Sequence, residues 1–207
     1  MILQDVINKI TNDEPFAFSR WGDGEFFNIN KVKGHNCDGN IYYEDLGEEL
    51  KNILLEKKDY YLGVQTLIPF SVNESKKYNQ EWVDADVFHK SSMNNTLNFF
   101  TECLKNKHIV YIGNKSFNKL SFINTHIETP YKNSWLVKET ILEKIRNTFD
   151  KNHKIYLFSC GMLTNYFIDV LWKENNKNTY IDVGSVFDPY VGRKTRSYHK
   201  KLKINLS

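Results

Sequence analysis

Residues 154–183 read KIYLFSCGMLTNYFIDVLWKENNKNTYIDV, and this stretch decides the fold of the chain. A β-favouring run at 154–159 leads into a segment with helical spacing of apolar residues at about 162–173, and a second β-favouring run follows at 179–183. Two parallel strands need a long crossover connection, which is usually a helix. The stretch therefore predicts a strand, a helix and a second strand parallel to the first.

The same alternation extends through the rest of the chain. Apolar residues recur at helical spacing in four earlier segments, and each leads into a β-rich run; the pairs are 2–10 with 16–18, 44–57 with 59–64, 93–104 with 107–113, and 137–149 with 154–159. Alternating strands and helices predict an α/β, Rossmann-like fold. We expect a mostly parallel sheet of about five or more strands with helices on both faces.

One stretch does not follow this alternation. Residues 68–92 are polar, rich in asparagine and weakly periodic, so we interpret them as a possible insertion over the site. No linker, internal repeat or low-complexity block divides the sequence, and 207 residues suit one domain. We therefore predict a single domain over 1–207, with 188–207 as a basic C-terminal segment.

The composition excludes several classes of protein. Hydrophobic residues make up 41% of the chain, which is enough for a packed core and excludes disorder for the bulk of it. No apolar run approaches the length of a membrane span, and polar residues occupy the N-terminus where a signal peptide is apolar. The three cysteines form no C-x-x-C pair, which argues against a disulfide framework. We expect a cytoplasmic protein without a membrane span.

The positive charge is concentrated at the C-terminus. The chain has a net charge of +3, yet residues 188–207 contain six lysines and arginines against one acid, so the preceding residues are net acidic. A basic segment attracts phosphates. The alternative is a solvated basic tail. Peripheral contact with a membrane through this segment is a further possibility.

Polar and glycine-rich segments follow four of the predicted strands. In an open α/β sheet, ligands bind in the crevice at the carboxyl ends of the strands, so these segments are expected to surround the site. They are 19–25 (SRWGDGE), 113–116 (GNKS), 159–161 (SCG) and 182–188 (DVGSVFD).

The first segment places two carboxylates in one glycine-permitted turn. Asp23 and Glu25 flank Gly24, and such a pair can converge on Mg²⁺ or Mn²⁺ together with substrate phosphates. The alternative is a plain turn in which Glu25 is an N-terminal helix carboxylate favoured by the helix dipole.

Three stretches carry a family resemblance. The string FSRWGDGEF at 18–26 resembles the R-[aromatic]-G-D-G-E signature of the GT-D type glycosyltransferases, which have a Rossmann-like fold. The strings SCGMLTN at 159–165 and YIDVGS at 180–185 resemble that family's strand, glycine-opened helix and closing I-D-[IV]-G strand. After Gly184 the chain departs from the acidic, aromatic stretch that is usual in the family.

The resemblance implies a metal-dependent glycosyltransferase, either a hexosyl- or a pentosyltransferase. Its donor would be a nucleotide sugar such as a UDP-sugar, and its acceptor a glycan or lipid-linked glycan in the synthesis of a surface polysaccharide or a glycoprotein glycan. Asp23 and Glu25 match the family's D-x-E pair, so they would be catalytic and would hold Mn²⁺ or Mg²⁺. Arg20 and Gly22 would contact the donor.

Two further strand ends contain candidates for donor binding. Gly161 lies at a strand-to-helix junction, where unpaired N–H groups favour a phosphate, although a glycine there can also simply relieve a tight turn. The segment Gly113, Asn114, Lys115 and Ser116 lacks the full Walker pattern, but it could contact the base, ribose or phosphate of a nucleotide. The alternative for this segment is an exposed turn.

The last strand end supplies the remaining candidates. Arg193 and Arg196 follow Gly184 closely, and guanidinium groups are suited to the charge that develops on a leaving diphosphate. Activation of an acceptor hydroxyl needs a carboxylate or a histidine. Asp188 is our first choice for this base, and the two runners-up are Asp84 and Asp86.

The histidines and the basic segment have simpler interpretations as well. The histidines show no metal-ligand spacing, so each is interpreted as an ordinary surface or core residue. A different cofactor enzyme is disfavoured because no G-x-G-x-x-G follows a predicted strand. The alternative function is a non-enzymatic nucleotide- or nucleic-acid-binding module that uses the basic segment. We expect no nucleic-acid partner, and the oligomeric state is left open.

Overall fold

The computed structural model describes residues 1–202, so Lys203 of the basic C-terminal segment lies outside the described residues. Within them the strands are β1 (Ala17–Trp21), β2 (Tyr61–Val64), β3 (Trp82–Asp84), β4 (Ile109–Gly113), β5 (Thr125–Glu128), β6 (Ile155–Ser159) and β7 (Thr179–Asp182). The helices are α1 (Leu3–Thr11), α2 (Asp23–Ile29), α3 (Glu44–Leu55), α4 (Pro69–Ser75), α5 (Val87–Met93), α6 (Leu97–Leu104), α7 (Lys138–Arg146) and α8 (Leu163–Glu174). Short 3-10 helices lie at Lys115–Lys119, Ser134–Val137, Asp188–Val191 and Ser197–Lys201.

The strands form one seven-stranded parallel sheet in the order β3-β2-β1-β7-β6-β4-β5, and helices cover both of its faces. In β4, Val110 and Ile112 pack with α2, α3, α7 and α8, whereas Ile109 and Tyr111 pack with α1, α5 and α6. Such inner strands read as continuous β-branched and aromatic runs because both of their faces are buried. The predicted Rossmann-like α/β class is confirmed.

The strand order reverses beside β1. The chain passes from β1 to β2 and β3 on one side, and it returns along β7 on the other side, where Ala17 pairs with Tyr180 and Phe18 with Ile181. A reversal of this kind leaves a crevice at the carboxyl ends of the strands. The segments that follow β1 and β7 therefore lie together at one edge of the sheet.

Two strands were not predicted from the sequence, and both lie at the edges of the sheet. β3 lies inside the stretch 68–92 and pairs with β2, so this stretch supplies part of the sheet as well as α4 and most of α5. β5 pairs with β4 at the opposite edge. All three residues of β3 are half-buried, and only one residue of β5 is buried. Short, partly exposed strands carry little periodic signal.

The predicted helix at 93–104 is in fact the end of one helix and the whole of the next. α5 ends at Met93 and α6 begins at Leu97, because Asn95 adopts a left-handed conformation with a φ of 56°. The predicted GDG turn is shorter than expected, since α2 already begins at Asp23. Within residues 1–202, none of the helices has the length and apolar character that a membrane crossing requires.

Candidate functional site

A cleft with a volume of about 360 Å³ lies at the carboxyl ends of β1 and β7, and we call it the main cleft. Its walls come from the start of α2, a loop at 36–38, the segment after β7, the start of α5 and the C-terminal segment. A smaller cavity of about 90 Å³, the side cavity, lies next to it. The two share the residues Asp38, Gly161, Gly184, Ser185 and Arg196.

Asp23 and Glu25, which were predicted to act on one ligand, both line the main cleft. Asp23 is exposed, and its Oδ1 accepts a 2.9 Å hydrogen bond from the amide of Gly24. Glu25 is half-buried, and its Oε2 accepts a 2.8 Å hydrogen bond from the amide of Gly22. The bond to Gly22 caps α2, so the helix-terminal role considered for Glu25 is real. The second oxygen of each carboxylate makes no hydrogen bond within residues 1–202.

Burial and neighbouring negative charge shift the titration of this part of the cleft. Burial raises the pKa of Glu25 to about 7, and the nearby carboxylates of Asp182 and Asp23 add to the rise. Burial also raises the pKa of Asp182 to about 6, although the Arg20 guanidinium opposes the shift. The main cleft therefore holds more negative charge than its own cations balance locally, and a bound cation would relieve the repulsion.

The chemistry of the donor set fits a hard divalent cation that is shared with a substrate. Within residues 1–202, no group of three His, Cys, Asp or Glu side chains stands close enough to hold a metal by itself. Magnesium and manganese sites that act on phosphates commonly use only one or two carboxylates, together with phosphate oxygens and waters. Asp23 and Glu25 supply that number of carboxylates.

Arg20 connects the ends of β1 and β7. Its Nε donates a 3.0 Å hydrogen bond to the carbonyl of Ala85, and its Nη1 lies 3.9 Å from Oδ1 of Asp182. The guanidinium occupies the space where a Cβ at residue 184 would lie, so Gly184 is needed for this contact. Gly184 has a φ of +54°, and its amide donates a 2.8 Å hydrogen bond to Asp182.

Gly161 lies in the wall between the two cavities. It adopts a left-handed conformation with a φ of +61°, and α8 begins two residues later at Leu163 rather than at the glycine itself. Ser159, just before it, donates a 2.6 Å hydrogen bond from its hydroxyl to the carbonyl of Gly184. The ends of β6 and β7 are thereby held together, as the prediction of one common site requires.

Of the segment 113–116, only Asn114 lines either cavity. Gly113 is buried beneath the ring of Phe117, and Lys115 is exposed on the surface. The Oδ1 of Asn114 accepts a 3.1 Å hydrogen bond from the amide of Ser116, which makes the local turn. The structure thus places Asn114 at the side cavity and the other three residues outside both cavities.

Asp188 is buried and lines the side cavity, not the main cleft. Its Oδ1 lies 3.3 Å from Nη1 of Arg193, and its Oδ2 accepts a hydrogen bond from the hydroxyl of Thr195. Burial raises the pKa of Asp188, while Thr195 and Arg193 oppose that shift. Both carboxylate oxygens of Asp188 are therefore engaged within the protein.

The two arginines predicted to bind the donor belong to the cavity walls. Arg193 lies over the ring of Tyr131, with its Cζ 4.6 Å from the ring centre, and its Nη2 donates a 2.8 Å hydrogen bond to the Tyr131 hydroxyl. Arg196 makes a bidentate pair with Asp38, at 2.7 and 2.6 Å, where the two cavities meet. This part of the basic segment is docked on the protein and is not a solvated tail.

Asp84 and Asp86 both belong to a hydrogen-bonded cluster after β3. Asp84 accepts a 2.9 Å hydrogen bond from the hydroxyl of Thr66 and is paired with Lys90. Asp86 accepts a 2.9 Å hydrogen bond from the amide of Leu67 and lines the main cleft, which Asp84 does not.

Two residues that line the main cleft, and one that supports it from α8, had no role in the predictions from sequence. His89 and Tyr198 line the main cleft and stack on one another, with ring centres 4.1 Å apart. Asn165, on α8, donates a 2.9 Å hydrogen bond from its Nδ2 to the carbonyl of Arg20. The signal for Asn165 was present, since it ends the string SCGMLTN. No sequence signal pointed to His89, because β3, the strand that precedes it, was not predicted.

Similar architectures occur among solved structures. A structure of the domain of unknown function 1792, reported to have a distinct glycosyltransferase fold, matches with a TM-score of 0.72 at 14% identity, over 100% of this chain and 84% of that one. A structure described as a new glycosyltransferase (DUF1792) from Streptococcus sanguinis matches with a TM-score of 0.72 at 13% identity, over 92% of this chain and 82% of that one. The present chain has this glycosyltransferase fold.

The comparison confirms, at the level of fold, the resemblance carried by the sequence motifs. No protein-family model matches the chain, and no curated protein sequence is similar to it. Within this glycosyltransferase fold, the carboxylates that follow β1 face the glycines that follow β6 and β7 across one cleft. Such a site can hold an anionic ligand through a cation, an arginine and backbone amides.

Proposed function

We propose that the protein is a metal-dependent glycosyltransferase, a hexosyl- or pentosyltransferase, that uses a nucleotide sugar. The UDP-sugars are the first donors to test, and the acceptor is a hydroxyl of a glycan or lipid-linked glycan in the synthesis of a surface polysaccharide or glycoprotein glycan. One observation carries the proposal: Asp23 and Glu25 line the same cleft as Arg20, Gly161 and Gly184 in a chain with a glycosyltransferase fold.

Asp23 and Glu25 are the residues that would hold Mn²⁺ or Mg²⁺. Each keeps one carboxylate oxygen free of hydrogen bonds within residues 1–202, and the raised pKa of Glu25 reflects its burial and its closeness to other carboxylates. When bound, the ion neutralises the diphosphate of the donor and the charge that develops as the sugar leaves.

The protein also offers positive groups to the diphosphate. Arg20 reaches the cleft from β1, where its guanidinium is held by Ala85 and by the space that Gly184 leaves. α8, twelve residues long, begins just after Gly161, and the positive end of a helix favours a phosphate. Arg196 stands where the two cavities meet, and its pair with Asp38 holds the C-terminal segment against the cleft.

The reaction transfers the anomeric carbon from one oxygen to another. The acceptor oxygen forms a bond to that carbon, the bond to the diphosphate oxygen breaks, and the nucleoside diphosphate leaves with the electron pair. The cleft walls would hold the donor next to the acceptor, so that the two react within one complex and not after a chance encounter in solution.

Compartment and partners follow from the same proposal. The three cysteines, Cys37, Cys103 and Cys160, are all free thiols, which suits the reducing cytoplasm where nucleotide sugars are made available. The basic C-terminal segment beside the cleft could hold the enzyme peripherally at a membrane that carries a lipid-linked acceptor.

A donor screen tests the proposal. The full chain is incubated with UDP-, GDP-, CMP- and dTDP-sugars, with and without Mn²⁺, and its melting temperature and the release of free sugar are measured. We expect stabilisation by one donor class and slow hydrolysis of it, both only with the metal, because a ligand that binds the native state raises its melting temperature.

Matched variants tie the result to the carboxylate pair. Asp23→Asn and Glu25→Gln should abolish the metal-dependent stabilisation and the hydrolysis, while Glu143→Gln, an exposed residue on α7, should change neither. Hydrolysis that persists in EDTA, or in both cleft variants, would overturn the metal assignment. If wild type neither bound nor hydrolysed any of the four donor classes, the proposal that the protein is a glycosyltransferase would be wrong.

A further inference from the structure

His89 occupies a position in the main cleft that the predictions from sequence did not give it. It lies on α5, directly after Phe88, which is buried and packs against Phe100 with ring centres 5.0 Å apart. On its other side the imidazole stacks on Tyr198 at 4.1 Å, with 20° between the ring planes. The backbone is therefore anchored in the core, and the ring plane is fixed by an aromatic neighbour at the cleft wall.

The imidazole has no hydrogen-bond partner of its own. Neither ring nitrogen takes part in a hydrogen bond within residues 1–202, although the ring is half-buried. Its nitrogens are not among the buried polar atoms without a partner, so solvent in the cleft reaches the ring. His89 thus lines the cleft with a ring nitrogen available to accept a proton from a bound molecule.

The carboxylates of the main cleft other than the proposed cation ligands are each held by a partner within the protein. Asp38 is held by Arg196, Asp86 by the amide of Leu67, and Asp182 by the amide of Gly184. Asp23 and Glu25 are assigned to the cation in the proposed function. Asp188 lines only the side cavity, and its oxygens are engaged by Arg193 and Thr195. Asp86 and Asp182 each keep their second oxygen, but backbone amides hold both carboxylates in place, whereas His89 has no hydrogen bond to the protein at either ring nitrogen within residues 1–202.

We propose that His89 is the catalytic base of the transfer, the group that removes the proton from the acceptor hydroxyl as its oxygen attacks the anomeric carbon. The inference rests on the proposed function and extends it to a further catalytic residue. The acceptor O–H bond breaks and its proton passes to an imidazole nitrogen. The new C–O bond forms as the bond to the diphosphate breaks, and the nucleoside diphosphate leaves with that electron pair.

The charge environment keeps the imidazole in the form that this step requires. Burial lowers the pKa of His89, and Arg20 from β1 and Lys90 from its own helix lower it further, while Asp86 at the start of α5 opposes them. The C-terminal segment presents Tyr198 and His199 to the same side, and burial lowers the pKa of His199 to about 4. At neutral pH the His89 ring is therefore neutral and able to accept a proton.

The test compares His89→Asn and His89→Ala with His108→Asn. His108 is an exposed histidine just before β4, at the amino ends of the strands and away from the main cleft. It therefore controls for the substitution of a histidine by asparagine. In this assay water takes the place of the glycan acceptor. Hydrolysis of the UDP-sugar that wild type uses is followed with Mn²⁺ from about pH 5 to about pH 9. Stabilisation by UDP and Mn²⁺ is measured in parallel.

We expect His89→Asn to lower kcat by about 100-fold or more, the ordinary contribution of a general base, with UDP stabilisation retained. The acidic limb of the wild-type profile should change shape in His89→Asn, because one of the groups that titrate there is removed while Glu25 and Asp182 remain. Added imidazole should restore part of the rate to His89→Ala, which has space for it, and should leave His108→Asn unchanged.

Three results would overturn the inference. The first is a rate and pH profile of His89→Asn equal to those of wild type. The second is a loss of UDP stabilisation in His89→Asn large enough to account for the lost rate. The third is a folded His89→Ala chain whose rate is not raised by added imidazole. A wild-type chain that is inactive on every donor class would remove the proposed function and this inference together. An active wild type with an unaffected His89→Asn variant would remove the inference alone.

Discussion

The guanidinium of Arg20 fills the space that a side chain at residue 184 would need, so Arg20 and Gly184 are fitted to each other. Arg20 lies in β1 and Gly184 lies two residues after the end of β7, and these two strands are neighbours only because the strand order reverses there. The fit links the motif at the start of the chain to the glycine near its end. The contact between Arg20 and Gly184 is therefore a physical reason why the two motifs belong to one site.

Gly184→Ala should therefore damage both stability and donor binding. A non-glycine residue in the left-handed region costs about 1–2 kcal/mol, and the new methyl group must also displace Arg20. We expect the free energy of unfolding in urea to fall by about 2–3 kcal/mol in total. Stabilisation by UDP and Mn²⁺ should be lost.

Gly192→Ala is the matched control for this substitution. Gly192 has a φ of +83°, also in the left-handed region, but nothing lies within 4 Å of the place where its Cβ would be. We expect only the backbone cost of about 1 kcal/mol, with donor binding unchanged. Equal effects of the two substitutions on stability and on binding would show that the contact with Arg20 is unimportant.

The pair of Asp38 and Arg196 should couple the C-terminal segment to the loop at 36–38. The two side chains are about one-third exposed and make two parallel hydrogen bonds, an arrangement stronger than an ordinary surface ion pair. A double-mutant cycle with Asp38→Asn and Arg196→Gln, followed by urea unfolding, should give a coupling energy of about 1–2 kcal/mol. Additive effects of the two substitutions would contradict this.

The sequence predicted the inner part of the fold well because the inner strands are buried on both faces. Runs such as IVYIG in β4 and IYLFS in β6 are short, apolar and rich in β-branched and aromatic residues, which favours the middle of a covered sheet. β3 and β5 were not predicted, because an edge strand is short and half-exposed and its residues therefore need not be apolar. β3 has residues 82–84 only, and none of them is fully buried.

The candidate site was predictable only where a residue type was required by local chemistry. Asp23, Glu25, Gly161 and Gly184 follow strands and differ from their apolar surroundings, so they could be singled out in the sequence and they do line the main cleft. Pairings between distant segments could not be predicted. Nothing in the sequence indicated that Arg196 would be bound by Asp38 or that Tyr198 would stack on His89.

His199 should make stability depend on pH. It is fully buried, and burial lowers its pKa to about 4, against about 6.5 in an unfolded chain. The unfolded state therefore binds the proton more readily, so the stabilising effect is complete above about pH 6.5 and is lost as the pH falls towards about 4. Arg196, His89 and Arg193 act in the same direction as burial.

Urea unfolding of wild type and His199→Gln at about pH 7.5 and about pH 5 measures this effect. The loss of stability on acidification should be smaller in the variant by about 1–2 kcal/mol, because that variant has no proton to take up at this position. The difference between the two chains removes the contribution of the other titrating groups. An identical pH dependence in both chains would show that His199 takes up its proton equally well in the folded state.

Lys58 should matter for folding and not for the proposed chemistry. Its side chain is 4% exposed, and its Nζ lies 2.7 Å from Oδ1 of Asp169 on α8, a carboxylate that also accepts a 3.0 Å hydrogen bond from the hydroxyl of Tyr60. Lys58→Met would leave the buried Asp169 with only a phenol and the exposed Lys173 as partners. Removing one member of a buried pair costs about 3–5 kcal/mol when the other is left without compensation. Because Lys173 remains, we expect about 2–3 kcal/mol in urea unfolding.

Lys57→Met provides the comparison for that substitution. Lys57 is the adjacent residue and carries the same side chain, but it is 55% exposed and its partner Glu81 is 91% exposed. Exposed ion pairs contribute about 0–1 kcal/mol, so the free energy of unfolding should barely change. Both lysines precede β2 and so lie at the amino ends of the strands, whereas the main cleft lies at the carboxyl ends. UDP and Mn²⁺ should therefore stabilise both folded variants as they do wild type. If Lys57→Met proved as destabilising as Lys58→Met, the charge near the start of β2 would matter rather than the buried pair with Asp169.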